Sequence, residues 1–251
     1  MPTPSGDSPR TAFVILEYCG GARTDALHAK LSAWNPESRI LVLDNASPTN
    51  RASSVTHRNE VNSYVGGGIR DCVALAESIG ATYLFYCTND VELLDPLVIS
   101  NFEGVVEHDP SAVVVTCALS DDSDQARTFP WMVRRSTSGL RRVRFADPIC
   151  CLIRLDFLRG FGGFPPSVGG WGYSSEMAFH ARRKDLGIYV DDRCAVRHEK
   201  GQAFLTTSDG VRVSKWREAS EVYEKRYGSV GVIRTALSAP EFDEEAVVVL
   251  S

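Results

Sequence analysis

The sequence predicts an α/β protein with a mostly parallel central sheet and helices on both of its faces. Short apolar segments alternate with amphipathic segments through the first 120 residues, which is the pattern of repeated strand–helix units. The chain has 251 residues, of which 43% are hydrophobic and 24% charged, so it is long and apolar enough to bury a full core.

Four apolar segments predict strands of this sheet, and they cover residues 11–18, 40–43, 82–87 and 112–119. The spacing of apolar residues between them predicts helices over residues 24–32, 73–79 and 93–107, with Gly80 ending the second. Ligands of parallel sheets bind at the carboxyl ends of the strands. Glu17, Asp44 and Asp90 stand at or just past three such ends, so we expect a functional site there.

The chain changes character after residue 120, where the polar residues 121–144 include six arginines. This stretch has two interpretations: a solvated variable loop, or a loop whose arginines bind an anionic acceptor or phosphate groups. Beyond it we predict a strand over residues 148–155, a glycine-rich loop over 161–173, a helix over 176–186, a strand over 188–190 and a helix over 211–227.

Charge and hydropathy narrow the possible functions. The net charge of −5 argues against nucleic-acid binding, which usually needs a basic surface. No apolar run reaches about 18 residues, and the first ten residues lack the apolar core of a signal peptide, so we expect a cytoplasmic protein without a membrane span. The seven cysteines form no C-x-x-C pair, which favours buried thiols over a zinc or redox site.

Asp90 gives the strongest single signal, because it directly follows a buried apolar segment and Asn89. A carboxylate in that place can hold Mg²⁺ or Mn²⁺, hard ions that prefer oxygen ligands and also bind phosphates. Glu92 lies two positions further on, and on an extended segment both acidic side chains would point the same way. The alternative is that Asp90 only caps the following helix.

Two further segments suit a nucleotide or a phosphate. Asp44 begins a turn-forming run, where it either makes a structural turn or accepts hydrogen bonds from a base or ribose. Residues 65–70 (VGGGIR) contain three glycines that would let the backbone approach a ligand, and Arg70 offers a planar donor for phosphate. This segment matches neither the P-loop nor the dinucleotide-binding fingerprint.

The second half of the chain contains candidates for acceptor chemistry. Trp171 lies on a glycine-rich segment, next to Gly172, and suits stacking against a sugar ring. Glu176 lies near Trp171 in the sequence, and its carboxylate could deprotonate an acceptor hydroxyl. The alternative is that Trp171 is a buried core residue and Glu176 a surface residue at the start of a helix. His198 follows a short apolar segment, and a lone histidine there is either structural or a ligand.

These motifs together resemble the family 2 glycosyltransferases of the GT-A fold. The nucleotide-sugar half is matched by residues 14–16, 41–47, 62–70 and 83–90, and the acceptor half by 161–164, 170–172, Glu176, Arg182 and His198. The resemblance covers residues 11–228. It implies transfer of a hexosyl or deoxyhexosyl group from a nucleotide-diphosphate sugar to an acceptor hydroxyl, with inversion and with Mn²⁺ or Mg²⁺ as cofactor.

The resemblance also implies roles for individual residues. Asp44 would bind the donor's base or ribose, and Asp90, the last acid of the family's D-x-D motif, would bind metal. His198 falls at the position of a further metal or phosphate ligand, and Glu176 at the position of the general base. Trp171 and Gly172 would lie at the acceptor. We also place Glu17, Arg70 and Asn89 at the donor.

The chain departs from the family pattern in places that keep other functions open. Thr88 stands at the usual first acid of D-x-D, and Ser175 replaces one member of the Glu-Asp pair before the helix. A catalytically inactive sugar-binding or partner-binding module is therefore one alternative. A sugar-nucleotide nucleotidyltransferase is the other, although the segment after the first strand is short for its glycine- and arginine-rich loop.

We expect one compact unit with a flexible N-terminus over residues 1–10. A nucleotide-sugar-binding half would cover 11–120, an acceptor and catalytic half 121–205, and a C-terminal helix and tail 206–251. The expected partners are a nucleotide-sugar donor and a small-molecule or glycan acceptor, without nucleic acid. The apolar C-terminal end allows a homodimer.

Overall fold

The computed structural model describes residues 10–135, 139–165, 172–199, 209–228 and 245–248. These residues form one ten-stranded sheet surrounded by helices. The strands are β1 (Thr11–Glu17), β2 (Ile40–Asp44), β3 (His57–Arg58), β4 (Tyr83–Thr88), β5 (Val91–Leu93), β6 (Ala112–Leu119), β7 (Leu140–Val143), β8 (Cys150–Arg154), β9 (Gly187–His198) and β10 (Glu245–Val248). The helices are α1 (Ala22–Trp34), α2 (Tyr64–Ser78), α3 (Val98–His108), α4 (Leu155–Arg159), α5 (Tyr173–Arg183) and α6 (Asp209–Tyr227), with a 3₁₀ turn at Pro130–Met132.

The sheet is mostly parallel, as predicted. Its order is β10-β7-β9-β6-β8-β4-β1-β2-β3, and β5 pairs with β9 outside this path. Strands β3, β2, β1 and β4 are mutually parallel, and β6 is parallel to β9. Because β8 is antiparallel to both β4 and β6, these two groups run in the same direction. Only β5, β7 and β8 run against that direction within the described sheet.

Helices cover both faces of the sheet, which confirms the predicted fold class. Side chains of successive strand residues point to opposite faces. The ring of Phe13 in β1 lies 5.7 Å from that of Phe85, whose ring lies 6.2 Å from that of Phe102 in α3. Leu16 points the other way, so close to α2 that a β-carbon built on Gly68 would lie 2.7 Å from its Cδ2 atom. Helices α3 and α2 therefore pack on opposite faces.

Helix α2 corrects the interpretation of the glycine-rich segment. The helix begins at Tyr64 and contains all three glycines of residues 65–70, so this segment is part of a helix, and its predicted close approach to a ligand stays a prediction. Glycine is a poor helix former, which is why the pattern predicted a helix only from residue 73. The close packing of Gly68 on Leu16 favours glycine at this position, since a β-carbon there would force the Leu16 side chain to move.

Strand pairing also changes the predicted boundaries around Asp90. The helix predicted from residue 93 begins at Val98, because residues 91–93 form β5 and pair with the end of β9. Strand β9, predicted over three residues, runs for 12 residues to His198. Asp90 and Glu92 do not face the same site: Glu92 is exposed and pairs with Arg197.

The arginine-rich stretch is not a solvated loop throughout. It contains the 3₁₀ turn and strand β7. Arg141 of β7 is 4% exposed and forms a two-pronged ion pair with Asp192, at 2.8 and 2.9 Å. Its guanidinium also donates to the carbonyl groups of Trp131 and Val133. Arg141 thus holds the turn against β9, and it is not available to bind phosphate.

The six cysteines other than Cys19 are buried, which agrees with the predicted thiols. Among the described residues, no helix is long and apolar enough to cross a membrane. Strands from both predicted halves share the sheet, since β8 inserts between β4 and β6. The division of function at residue 120 stays a prediction.

We expect Arg141→Met to lower the free energy of unfolding by about 3–5 kcal/mol, because it leaves the buried Asp192 carboxylate without its partner. Arg142→Met is the matched control on the same strand. Arg142 pairs with Asp185, which is 95% exposed, so its loss should cost less than about 1 kcal/mol. Urea unfolding of the two variants makes the comparison, and equal losses would contradict it.

Candidate active site

Unusual backbone conformations collect where β1, β2 and α2 meet. Five non-glycine residues within the described ranges have positive φ angles, and four of them lie at this corner: Cys19, Ala46, Asn50 and Tyr64. Such conformations cost free energy and persist only where the surroundings enforce them, which is common at ligand sites. The carboxyl ends of the parallel strands face the same corner, as the sequence predicted.

Glu17 organises the loop that follows β1. Its carboxylate is fully buried and accepts hydrogen bonds from the backbone of Gly20 and Gly21 and from the hydroxyl of Thr24. Its second oxygen also accepts the side-chain amide of Asn89, at 2.8 Å. Glu17 and Asn89 were predicted to contact the donor. The contacts that the structure gives them are internal, and they join the loop after β1 to the turn after β4.

Asp44 ends β2 with a buried carboxylate held by two partners. One oxygen accepts the backbone N–H of Ser47 at 2.8 Å, and the other accepts the guanidinium of Arg58. The side chain of Arg58 is 41% exposed, so this pair lies at the edge of the corner. Arg58 was not among the predicted site residues, because no pattern in its segment pointed to Asp44.

Asn45 ties the turn after β2 to the start of α2. Its side-chain amide donates to Asn62 and to the carbonyl of Tyr64, and its side-chain oxygen accepts from Asn59 and from Ser63. Beside Asp44 there is therefore a polar wall of hydrogen-bonded side chains, formed by Asn45, Asn59, Asn62 and Ser63.

Arg70 lies behind this wall, on α2. Its guanidinium approaches Asp71 at 3.5 Å, and Asp71 in turn accepts hydrogen bonds from Asn59 and Ser63. The predicted contact of Arg70 with a donor phosphate stays a prediction.

The pairing of β5 with β9 brings Asp90 to His198. Val91 lies opposite His198 in the register, and the carbonyl of Asp90 accepts the backbone N–H of Glu199 at 3.0 Å. The His198 Nε2 atom lies 3.3 Å from Asp90 Oδ1, and both side chains are largely buried. Two residues that are distant in sequence thus present an oxygen and a nitrogen to one point.

The two groups stabilise each other's charged form. Burial raises the pKa of Asp90, but hydrogen bonding and positive charge from His198, together with Thr88, outweigh it and hold that pKa below its usual value. Burial lowers the pKa of His198, but the negative charge of Asp90, with that of Asp147, raises it overall. Thr88, which replaces the first acid of D-x-D, therefore still acts on Asp90.

This pair suits a hard divalent cation bound jointly with phosphate. Neighbouring ligands of an octahedral ion with bonds of about 2.1 Å lie about 3 Å apart, close to the separation of the two atoms. No group of three histidine, cysteine or acidic side chains within the described ranges is arranged to hold a metal. Asp90 and His198 would therefore supply two ligands, and diphosphate oxygens and water the others, as Mg²⁺ sites commonly require.

Asp147 is a site residue that the sequence analysis missed. Burial raises its pKa to about 6, with the charge of His198 opposing this rise and that of Asp90 adding to it. It precedes β8, whose neighbour Ile149 accepts the backbone N–H of Thr88. The only signal in the sequence was an acidic residue and a proline just before an apolar segment, which is too common to single out.

Glu176 lies at the start of α5 with a carboxylate that is fully buried. Its Oε1 atom accepts the hydroxyl of Tyr227 at 2.5 Å and the guanidinium of Arg226 at 3.0 Å, both from α6. Burial raises its pKa to about 6, against the opposing effects of Tyr227, Arg226 and Tyr223. Its Oε2 atom is buried and makes no hydrogen bond within the described part of the chain.

Buried polar atoms without hydrogen bonds concentrate in this region. Seven such side-chain atoms are found among the described residues, and five belong to Tyr86, Asp90, Glu176, His198 and Tyr223. Tyr173 lies close to this group of atoms. Burial raises the pKa of Tyr173, and the negative charges of the nearby Asp147, Asp90 and Tyr223 raise it further. Each such atom costs about 1–3 kcal/mol unless something satisfies it. A substrate with several hydroxyl or phosphate groups would do so.

Two predicted acceptor residues have different outcomes. Gly172 precedes α5 with φ of 102° and lies so close to Tyr223 that a β-carbon would come within 2.3 Å of its ring. Gly172 therefore permits α6 to pack against α5. Trp171 lies outside the described residues, so its predicted stacking on a sugar stays a prediction.

No protein-family model and no curated protein sequence matches the chain, whereas solved structures do. The structure of GalNAc-T7 with UDP, GalNAc and Mn²⁺ matches 90% of the chain with a TM-score of 0.60 and 11% identity. That of S. aureus TarS matches 87% with a TM-score of 0.54 and 13% identity, and TarS 1-349 matches 92% with 0.55 and 12%. The chain has the GT-A glycosyltransferase fold.

The GT-A domain described here spans about half of the larger proteins it matches. It covers 52% of the GalNAc-T7 chain and 44% of the TarS chain, and 75% of TarS 1-349. The identities of 11–13% establish the fold alone.

The raised pKa of Glu176 predicts that the free energy of unfolding depends on pH. The carboxyl titrates near 6 when folded and near 4.5 when unfolded, so the folded state binds more protons between these values. Stability is then lost as pH rises through this window, by about 2 kcal/mol in total.

Glu176→Gln should remove this loss. The difference in free energy of unfolding between variant and wild type should therefore change by about 2 kcal/mol from pH 4 to pH 7, in favour of the variant at pH 7. Urea unfolding across this range measures it. A pH-independent difference would mean that Glu176 titrates normally.

Proposed function

We propose that this protein is a glycosyltransferase that moves a hexosyl or deoxyhexosyl group from a nucleotide-diphosphate sugar to an acceptor hydroxyl. The observation that supports it best is the largely buried Asp90–His198 pair, which lies beyond the parallel strands of a GT-A fold with Oδ1 and Nε2 3.3 Å apart. The acceptor is a small molecule or a glycan.

Asp90 and His198 would hold Mn²⁺ or Mg²⁺ against the donor's two phosphates. A bound cation of this kind supplies Lewis-acid stabilisation of the leaving nucleoside diphosphate. Mn²⁺ is also present in the GalNAc-T7 structure. Hydrogen bonding and charge from His198 keep Asp90 ionised, as a metal ligand must be, and His198 would bind the cation as the neutral imidazole, after releasing its proton. Asp44 and the polar wall around Asn45 would receive the nucleoside at the neighbouring corner.

Glu176 would accept the proton of the acceptor hydroxyl as that oxygen attacks the anomeric carbon. Its pKa of about 6 leaves it ionised at neutral pH yet far more basic than an exposed glutamate. One oxygen is held by protein donors, and the other, which makes no hydrogen bond among the described residues, would receive the proton. A base opposite the leaving group implies a single displacement with inversion.

Nucleotide binding should stabilise the protein only in the presence of metal. At 100-fold excess over the dissociation constant, one of UDP, GDP, TDP or CDP with Mn²⁺ should add about 2.7 kcal/mol. At this chain length the melting temperature would rise by about 5–10 °C. Thermal unfolding measures the shift, and Asp90→Ala should abolish it. Glu92→Ala, two positions along, is the matched control and should retain it.

A shift with none of the four nucleotides would remove the basis of the proposal. A shift that survives in Asp90→Ala would keep a nucleotide site but reject the metal role. A nucleotide-dependent shift without any sugar transfer would favour the inactive binding module over the enzyme.

Glu176→Gln should lower kcat by about 10²- to 10⁴-fold, the usual contribution of a general base. The nucleotide-dependent thermal shift should stay intact, because Glu176 contacts neither Asp90 nor Asp44. Stopped assays of sugar transfer measure kcat, and the anomeric configuration of the product is read by NMR. A product with retained configuration would show that Glu176 is not the base of a single displacement.

A further inference from the structure

Glu176 is held asymmetrically, by one oxygen only. Its Oε1 atom accepts Tyr227 and Arg226 of α6, whereas Oε2 makes no hydrogen bond within the described parts of the chain, although the hydroxyl of Tyr223 lies near the carboxylate. Burying a carboxylate oxygen without a partner is costly in a folded protein. Of the two carboxylate oxygens, the buried Oε2 is therefore the one left for a substrate hydroxyl.

The hydroxyl of Tyr227 has a second contact that determines its direction. It lies 2.8 Å from Nε2 of His180, which is one turn along α5 from Glu176. Tyr227 has a single hydroxyl hydrogen, and the carboxylate can only accept it. The tyrosine oxygen must then accept from His180, so that Nε2 is the protonated ring nitrogen and Tyr227 cannot turn away from Glu176.

The partners of Glu176 are themselves fixed in place. The ring of His180 stacks on Phe161, with centroids 4.3 Å apart and planes 4° from parallel. The guanidinium of Arg226 donates to the carbonyl groups of Phe161 and Gly163 as well as to Glu176. Residues of α6 are thereby bound both to the start of α5 and to the segment before it.

We propose that Tyr227 is a positioning residue, which acts with His180 and Arg226 to hold Oε1 of Glu176 so that Oε2 points at the acceptor hydroxyl. This inference rests on the proposed function, in which Glu176 is the base. The C-terminal end of α6 then completes the active site, and Tyr227 does so without touching a substrate.

The groups that face Glu176 explain why this positioning affects its basicity. Arg226, Tyr227 and Tyr223 approach it from α6, and His180 acts through Tyr227 from α5. Tyr227 and Arg226 favour the ionised carboxylate, whereas burial opposes it. Loss of the Tyr227 hydroxyl should therefore make Glu176 harder to ionise and should also release its rotamer.

The test is the pH dependence of kcat/KM for sugar transfer in Tyr227→Phe. Wild type should lose activity below about pH 6, where Glu176 becomes protonated. Removal of a hydrogen bond to a charged group should move this limb upward by about one to two pH units. The limb of His180→Leu should move in the same direction by less, and that of His180→Gln, which keeps a donor, should stay near wild type.

Tyr189→Phe is the matched control. Tyr189, near the start of β9, also donates to a carboxylate, that of Asp109 at the end of α3, and neither residue contacts Glu176 within the described hydrogen bonds and ion pairs. Its loss removes the same kind of bond, so a merely structural effect would appear in both variants. The pH limb should not move in Tyr189→Phe.

A Tyr227→Phe protein that remains folded by circular dichroism and keeps the wild-type limb would overturn the positioning role and leave the base intact. An acid limb that persists in Glu176→Gln would overturn the base itself, and the inference with it. An upward shift in Tyr227→Phe and His180→Leu, absent from Tyr189→Phe, supports the proposal.

Discussion

The pairing of β5 with the end of β9 is the constraint on which the candidate site depends. Val91 lies opposite His198, and this register places Asp90 next to the imidazole. Side chains alternate along a strand, so a slip of one residue would turn His198 to the other face of the sheet. Strand β9 also pairs with β6 and β7, so the sheet itself fixes the register that brings Asp90 and His198 together.

The candidate site also contains buried polar groups that lower the stability of the folded protein. Five buried polar side chains around it have atoms without hydrogen bonds among the described residues, and Glu176 is less easily ionised than an ordinary glutamate. By contrast, the buried charge of Asp192 is matched by Arg141. In the function proposed above, the substrate would satisfy the buried polar groups that the described residues leave without hydrogen bonds.

The sequence predicted most strands of the sheet because their residues are apolar throughout. Strand β6 was predicted to the residue, and β1 and β4 to within one residue at either end. Errors arose where tertiary contacts override local preference. Glycines that disfavour a helix lie inside α2, because Gly68 must pack on Leu16, and apolar residues of suitable helical spacing form β5, because they pair with β9.

The sequence identified candidate residues in two ways. Asp44 and Asp90 stand at the ends of predicted strands, and Glu176 and His198 occupy the places expected from the order of the family's motifs. Arg58 and Asp147 were missed, because only folding brings them to Asp44 and to His198.

By itself the sequence determined the parallel α/β architecture and the acidic residues at its strand ends, since hydrophobic periodicity and turn chemistry are local properties. Only the tertiary structure decided which groups share an environment. The meeting of Asp90 with His198, and of Glu176 with Tyr227, depends on contacts between segments far apart in the chain. Burial at those contacts sets the charge of each group, and no local pattern encodes it.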